Sequence, residues 1–130
     1  MGKKFLIDTN ILIYHLNDSL IGDGRAFVLS ILKVEGNISV ISKIELFSWK
    51  TPDAAASEQM RIFVENCTIY PLTDEVADKT AELRKTYAKL ALPDAIIAAT
   101  ALVHNLTLIS RNDKDFQRIK KLKYTNPFNL

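Results

Sequence analysis

The sequence predicts an α/β domain with a mostly parallel sheet covered by helices on both faces. Three observations carry that prediction. Short apolar or β-branched runs alternate with longer stretches of helical periodicity. One of those stretches, "LPDAIIAATALVHN", is apolar on almost every side, which calls for a buried helix. The 130 residues, 48% hydrophobic and 25% charged, suffice for one sizeable core and are too few for two. We therefore expect one domain over residues 1–130, since no repeat, low-complexity tract or linker marks a boundary.

The elements follow in order. Phe5 to Ile7 reads as a short buried strand that stops on Asp8, and Ile11 to Leu16 reads as a helix. After the turn-rich "SLIGDG", the segment "RAFVLSILKVEGN" predicts a helix closed by Gly36 and Asn37. "ISVIS", Ile38 to Ser42, predicts a second strand, and "KIELFSWK" a helix that ends near Thr51-Pro52. Asp53 heads the helix "AAASEQMRIFVENC". "TIYPL", Thr68 to Leu72, is a third strand, with Pro71 placing it at an edge or a strand end. Thr73 is the expected N-cap of "DEVADKTAELRKTYAKL", in which Val76, Leu83, Tyr87 and Leu90 mark one face. Pro93 is expected at N1 of the buried helix, with Asn105 at its exit. "LTLIS", Leu106 to Ser110, is a fourth strand and "YTN" a candidate fifth.

Composition excludes several classes. One cysteine, Cys67, permits no intramolecular disulfide and no zinc cluster, and it reads as a small buried hydrophobe. Only three apolar residues precede Asp8, too few for a signal peptide, and no window approaches a membrane span, so a cytoplasmic protein is expected. The net charge of +2 permits a polyanionic partner without demanding one.

The acidic residues are the informative feature. Asp8 ends the first strand, Glu45 lies early in the helix after the second, Asp94 opens the buried helix, and Asp113 follows the fourth strand. Each has an ordinary explanation taken singly: Asp8 as a cap, Ser42 with Glu45 as a capping box, and Asp94 as a first-turn acid. Capping, however, needs no convergence of carboxylates on the carboxyl edge of one sheet, where α/β proteins bind ligands. A set of Asp and Glu without His or Cys suits Mg²⁺ or Mn²⁺, and the usual use of such a site is metal-assisted phosphodiester hydrolysis.

"FLIDTNILIYHL", "ISKIELFSW", "LPDAIIAATAL" and "LISRNDKDF", in that order from Phe5 to about Phe116, resemble the PIN domain, particularly the VapC-type toxins of prokaryotic type II toxin-antitoxin pairs. The resemblance implies a three-layer α/β/α sandwich and a Mg²⁺- or Mn²⁺-dependent endoribonuclease that cleaves structured RNA such as tRNA or rRNA. It also implies a homodimer, neutralised by a cognate antitoxin protein. Asp8, Glu45 and Asp94 match the family's first three acids, which hold metal and do the catalysis. Asn10 matches a polar position that helps order the site, beside Thr9, and Ser110 matches the hydroxyl residue at the end of the fourth strand. Where many relatives carry the next aspartate, this chain has Asn112, which could ligate through its carbonyl or hold a water but brings no charge. Asp113 is favoured as the fourth carboxylate, and Asp115 is read as part of a turn that buries Phe116, with facing the metal as its alternative. The implied chemistry is attack by water at the scissile phosphate with departure of the 3′ oxygen, the ribose 2′-OH taking no part.

Around this core, Arg111 beside the acids is a candidate substrate contact, as are Arg118, Lys120 and Lys121 in "RIKKLKY". His15 and His104 lie away from the acids and are not assigned to catalysis; ten residues of helix put His104 about 15 Å from Asp94. Leu46, Phe47, Trp49 and Phe63 are candidates for a partner surface, weighed against an aromatic core. Other readings are a PIN nuclease of RNA processing without toxicity, a receiver-like phosphoacceptor module, and a degenerate metal-free binding module.

Overall fold

The computed structural model describes residues 4–130. Its strands are β1 (Phe5–Ile7), β2 (Asn37–Ser39), β3 (Thr68–Tyr70), β4 (Thr107–Ile109) and β5 (Tyr124–Thr125). The helices are α1 (Thr9–Leu16), α2 (Gly22–Val34), α3 (Val40–Ser48), α4 (Ala54–Glu65), α5 (Asp74–Thr86), α6 (Leu92–Val103) and the single turn α7 (Asp113–Phe116). A 3₁₀ turn, Pro127–Asn129, follows β5.

All strand pairings are parallel. β1, β4 and β5 form one ladder and β2 with β3 another. The two ladders meet where the Asn37 side-chain amide donates to the Phe5 carbonyl oxygen at 2.9 Å. The strand sequence across the molecule is thus β3-β2-β1-β4-β5, with β3 at an edge, and Pro71 just beyond it costs no ladder bond there.

Side chains alternate across a strand, and here the alternation sorts the core into two layers. Leu6 and Leu108 face one way, into a cluster with Val76, Leu83, Ile97, Phe116 and Ile119. Ile7 and Ile109 face the other, against Ile11, Leu12, Val28, Ile38, Leu46 and Met60. This is the three-layer α/β/α arrangement. Helix α6 is buried from Ala95 to Ala101 without a break, which its all-round apolar sequence requires. Asn105, just past its end, takes a φ of 54°, a left-handed turn that asparagine tolerates.

Several expected boundaries shift. The strand expected over Ile38 to Ser42 occupies Asn37–Ser39, because Ser39 caps α3 by accepting from the Ile41 amide at 3.0 Å. The Ser42/Glu45 capping box therefore does not form: both residues lie inside α3. Asp53 and Thr73 do cap α4 and α5, accepting from the amides of Ala56 and Val76. Pro93 is the second residue of α6 rather than its first, and β3 stops at Tyr70 rather than Leu72.

Candidate active site

The carboxyl ends of β1 and β4 lie side by side, joined by the bond from the Asp8 amide to the Ile109 carbonyl at 2.9 Å. Asp8 and Ser110 are consequently the first residues off two adjacent strands, and both are buried. The Asp8 carboxylate accepts from the Thr9 amide at 2.8 Å and from Ser110 Oγ at 2.7 Å. Its capping role and its place in the acid cluster coexist.

Ser110 Oγ in turn accepts from Asn10 Nδ2 at 3.3 Å and from the Asn112 amide at 3.0 Å. Asn10 Oδ1 accepts from the Arg111 amide at 3.4 Å, so Asn10 ties α1 to the turn after β4. Thr9 Oγ1 donates to Glu45 Oε1 at 2.6 Å and lies 2.8 Å from Ser42 Oγ. Thr9 has one hydroxyl proton, so its donation to Glu45 leaves Ser42 as the donor to Thr9. A relay from Ser42 through Thr9 thus holds the exposed Glu45 carboxylate over the sheet edge. Ser42 is fully buried, whereas the sequence alone points to it only as a cap. Its spacing of three residues from Glu45 was the available signal, since i and i+3 share a helix face.

The electrostatics show carboxylates crowding one another. Burial pushes Asp8 up to about 6, the bonds from Ser110 and Thr9 oppose the rise, and the neighbouring Asp94 and Glu45 add to it. Asp94 is also raised to about 6, first by burial, then by Asp115 and Glu45. The acid facing Asp94 from the turn after β4 is therefore Asp115, not Asp113. Asn112 Nδ2 donates to Asp115 Oδ2 at 2.9 Å, which orients that carboxylate.

Asp113, assigned as the fourth carboxylate, is taken up elsewhere. Its Oδ1 accepts from Tyr124 Oη at 2.6 Å and Asn126 Nδ2 at 3.1 Å, and its Oδ2 from Asn129 Nδ2 at 3.3 Å. The Tyr124 and Asn126 bonds, with that from Asn129, hold its carboxyl below the ordinary range. The physical reason is the single helical turn: at about 100° per residue, positions 113 and 115 point roughly 200° apart.

The basic candidates separate in the same way. The Arg111 guanidinium lies 4.2 Å from the ring centroid of Phe128 and 5.6 Å from that of Tyr14, and donates to Tyr14 Oη at 3.0 Å. Arg118 instead donates to the Ala88 carbonyl at 2.9 Å, with Asp115 3.8 Å away. Lys120 and Lys121 are exposed and form no ion pair among the described residues. His15 packs on Phe63 and His104 on Tyr70, outside the acid network. Leu46 is core, whereas Phe47 and Trp49 are exposed. Cys67 is half-buried, and burial pushes its thiol up to about 11.

The donor set consists of hard oxygens whose mutual repulsion a cation would relieve, and so it fits a divalent metal. Asp8 and Asp94, with Glu45 and Asp115 at the margin, are the residues that could hold one. Among the described residues no group of three His, Cys, Asp or Glu is gathered closely enough to hold a metal ion by itself. Mg²⁺ keeps several of its waters and is commonly held by one or two carboxylates, a number that Asp8 and Asp94 supply.

The family model for the PIN domain matches residues 5–122. A chain of a toxin-antitoxin complex from Klebsiella pneumoniae is 30% identical, with a TM-score of 0.76 over 98% of this chain and 100% of that one. One from VapBC2 of Rickettsia felis, bound to a DNA fragment from the promoter, is 26% identical, with a TM-score of 0.79 over 94% and 97%. One from FitAcB of Neisseria gonorrhoeae is 25% identical, with a TM-score of 0.76 over 97% and 99%. No curated protein sequence matches.

Proposed function

The chain belongs to the PIN domain family, and on that premise we propose that it is a metal-dependent endoribonuclease, the toxin of a toxin-antitoxin pair. Its substrate is structured RNA such as tRNA or rRNA, and its partners are a cognate antitoxin protein and a second copy of itself, in the cytoplasm. The observation that carries the reading is the convergence of Asp8, Glu45 and Asp94 on one sheet edge, where Asp94 and Glu45 both raise Asp8 and Glu45 also raises Asp94. Likeness to a chain of a toxin-antitoxin complex supports the toxin role and the antitoxin partner. Among the described residues no helix is long and apolar enough to cross a membrane.

Bound Mg²⁺ or Mn²⁺ would activate a water and neutralise charge on the scissile phosphate. Asp8 and Asp94 would hold it, and the chain's own contribution is orientation. Ser110 and the Thr9 amide fix the Asp8 carboxylate, the Ser42–Thr9 relay fixes Glu45, and Asn112 fixes Asp115. Burial of Asp8 keeps the site's dielectric low, which strengthens its attraction for a cation.

The experiment is incubation of purified protein with bulk tRNA and ribosomal RNA, with Mg²⁺, with Mn²⁺ and with EDTA, followed by sequencing of the new 5′ ends. Cleavage at discrete positions in the metal arms and none with EDTA is expected. Undiminished cleavage in EDTA, or none in any arm, would overturn the reading. Expression in a host with and without the product of the neighbouring gene separates a toxin from an RNA-processing nuclease.

A further inference from the structure

Asp113 is the acid that the cluster does not use, and its three donors share one property: Tyr124, Asn126 and Asn129 all belong to the C-terminal segment. That segment is fastened at two further points. Gly24 of α2 packs so closely on Pro127 that a Cβ there would collide with the Pro127 carbonyl oxygen. Phe128 lies edge-on to Tyr14, with ring centroids 5.3 Å apart, and its own amide is held by Asn126 Oδ1 at 2.9 Å. Asn126 is thus bonded at once to Asp113 and to the residue that carries the ring.

What the fastened segment presents is a surface for Arg111. The guanidinium rests over Phe128, bonds to Tyr14 Oη, and faces no carboxylate within ion-pair distance among the described residues. Its backbone amide is tied to Asn10, one residue from Ser110 and hence from Asp8. A flexible arginine has here lost much of its rotamer freedom before any ligand arrives, and its charge remains unspent. Stacking occupies the face of the guanidinium and leaves edge N–H groups free, the geometry that takes a phosphate in a forked pair.

We propose that the C-terminal turn is a strap that pre-orders Arg111 as a contact for a backbone phosphate of RNA, and that Asp113 is the positioning residue that pins the strap. The inference rests on the ribonuclease reading and names a substrate contact within it. Asp113 acts through Asn126 and Phe128 on Arg111, without touching metal or substrate.

The test uses the full chain and unfractionated fluorescein-labelled tRNA. Binding is read by anisotropy in Ca²⁺, and cleavage in Mg²⁺. Arg111→Gln should weaken binding and raise KM by about tenfold, the scale of one charge-assisted bond, with kcat within about twofold. Phe128→Ala and Asp113→Ala should each give a smaller rise in KM of about three- to fivefold, since they loosen the arginine without removing it. Phe128→Tyr, which keeps a ring beneath the guanidinium, should hold the wild-type KM. Gly24→Ala, which displaces the strap from its far side, should resemble Phe128→Ala. Unchanged KM and tRNA affinity in folded Arg111→Gln and Phe128→Ala would overturn the inference, as would loss of affinity for the antitoxin with RNA binding intact. Absence of tRNA binding and cleavage by the wild-type protein would count instead against the ribonuclease reading.

Discussion

Asp8 and Asp113 each follow or open an element at the same end of the sheet, yet their surroundings act in opposite directions. Asp8 is buried among other acids and is pushed up to about 6. Asp113 is surrounded by hydroxyl and amide donors from one short segment and is held below the ordinary range. The first arrangement is destabilising unless a cation completes it, whereas the second is complete in itself. The lesson is that an acid's place in the chain does not determine its use; the sign of its shift and the identity of its partners do.

The contrast can be broken at either acid. The largest expected effect comes from Asp8→Asn or Asp94→Asn, each of which should lower the rate of RNA cleavage by about a thousandfold or more, roughly 4 kcal/mol of barrier. Single-turnover cleavage assays with circular dichroism to verify folding would measure it, and retention of activity in both variants would remove the acid cluster from the chemistry.

The second effect is on stability, and its sign follows from linkage. A carboxyl raised in the folded state holds its proton more tightly there than in the unfolded chain. Stability from this source is therefore greatest below about pH 4 and is lost as the pH rises through about 6. In metal-free protein at pH 7, Asp8→Asn should be more stable than wild type by on the order of 2 kcal/mol, the gap closing towards pH 4 and shrinking when Mg²⁺ is added. Urea unfolding across that range reads it, and a gap independent of pH would show that Asp8 is not strained by its charge. Asp94, half-buried, should show the same trend with smaller amplitude.

Smaller again is the relay that holds Glu45. Thr9→Val strands the buried Ser42 hydroxyl and releases Glu45, which should cost about 1–2 kcal/mol of stability. Turnover should fall by about tenfold through lost orientation of that carboxylate. Thr9→Ser should recover most of both, as judged by unfolding and initial rates.

The pattern of what was legible in the sequence has the same origin. Asp8 and Asp94 were readable because each is fixed by an unambiguous local event, the end of an apolar strand and the start of an apolar helix. The three-layer fold was readable because strand and helix periods alternate cleanly. The start of α3 was not, since Ser39 and Ser42 are both competent caps and "VIS" has the β-branched character of a strand. Tertiary packing chose Ser39, which turned Ser42 inward to Thr9. The choice between Asp113 and Asp115 was still less local. It depends on Tyr124, Asn126 and Asn129, which lie eleven or more residues downstream and act only once β5 has paired with β4.

The most direct test of the central claim is a Mn²⁺ titration at pH 7, followed by electron paramagnetic resonance, of the wild type, Asp94→Asn and Asp113→Asn. The wild type and Asp113→Asn should bind Mn²⁺ with affinities within about twofold of each other, whereas Asp94→Asn should lose about a hundredfold. Equal losses in Asp94→Asn and Asp113→Asn would contradict the division of labour between the two acids.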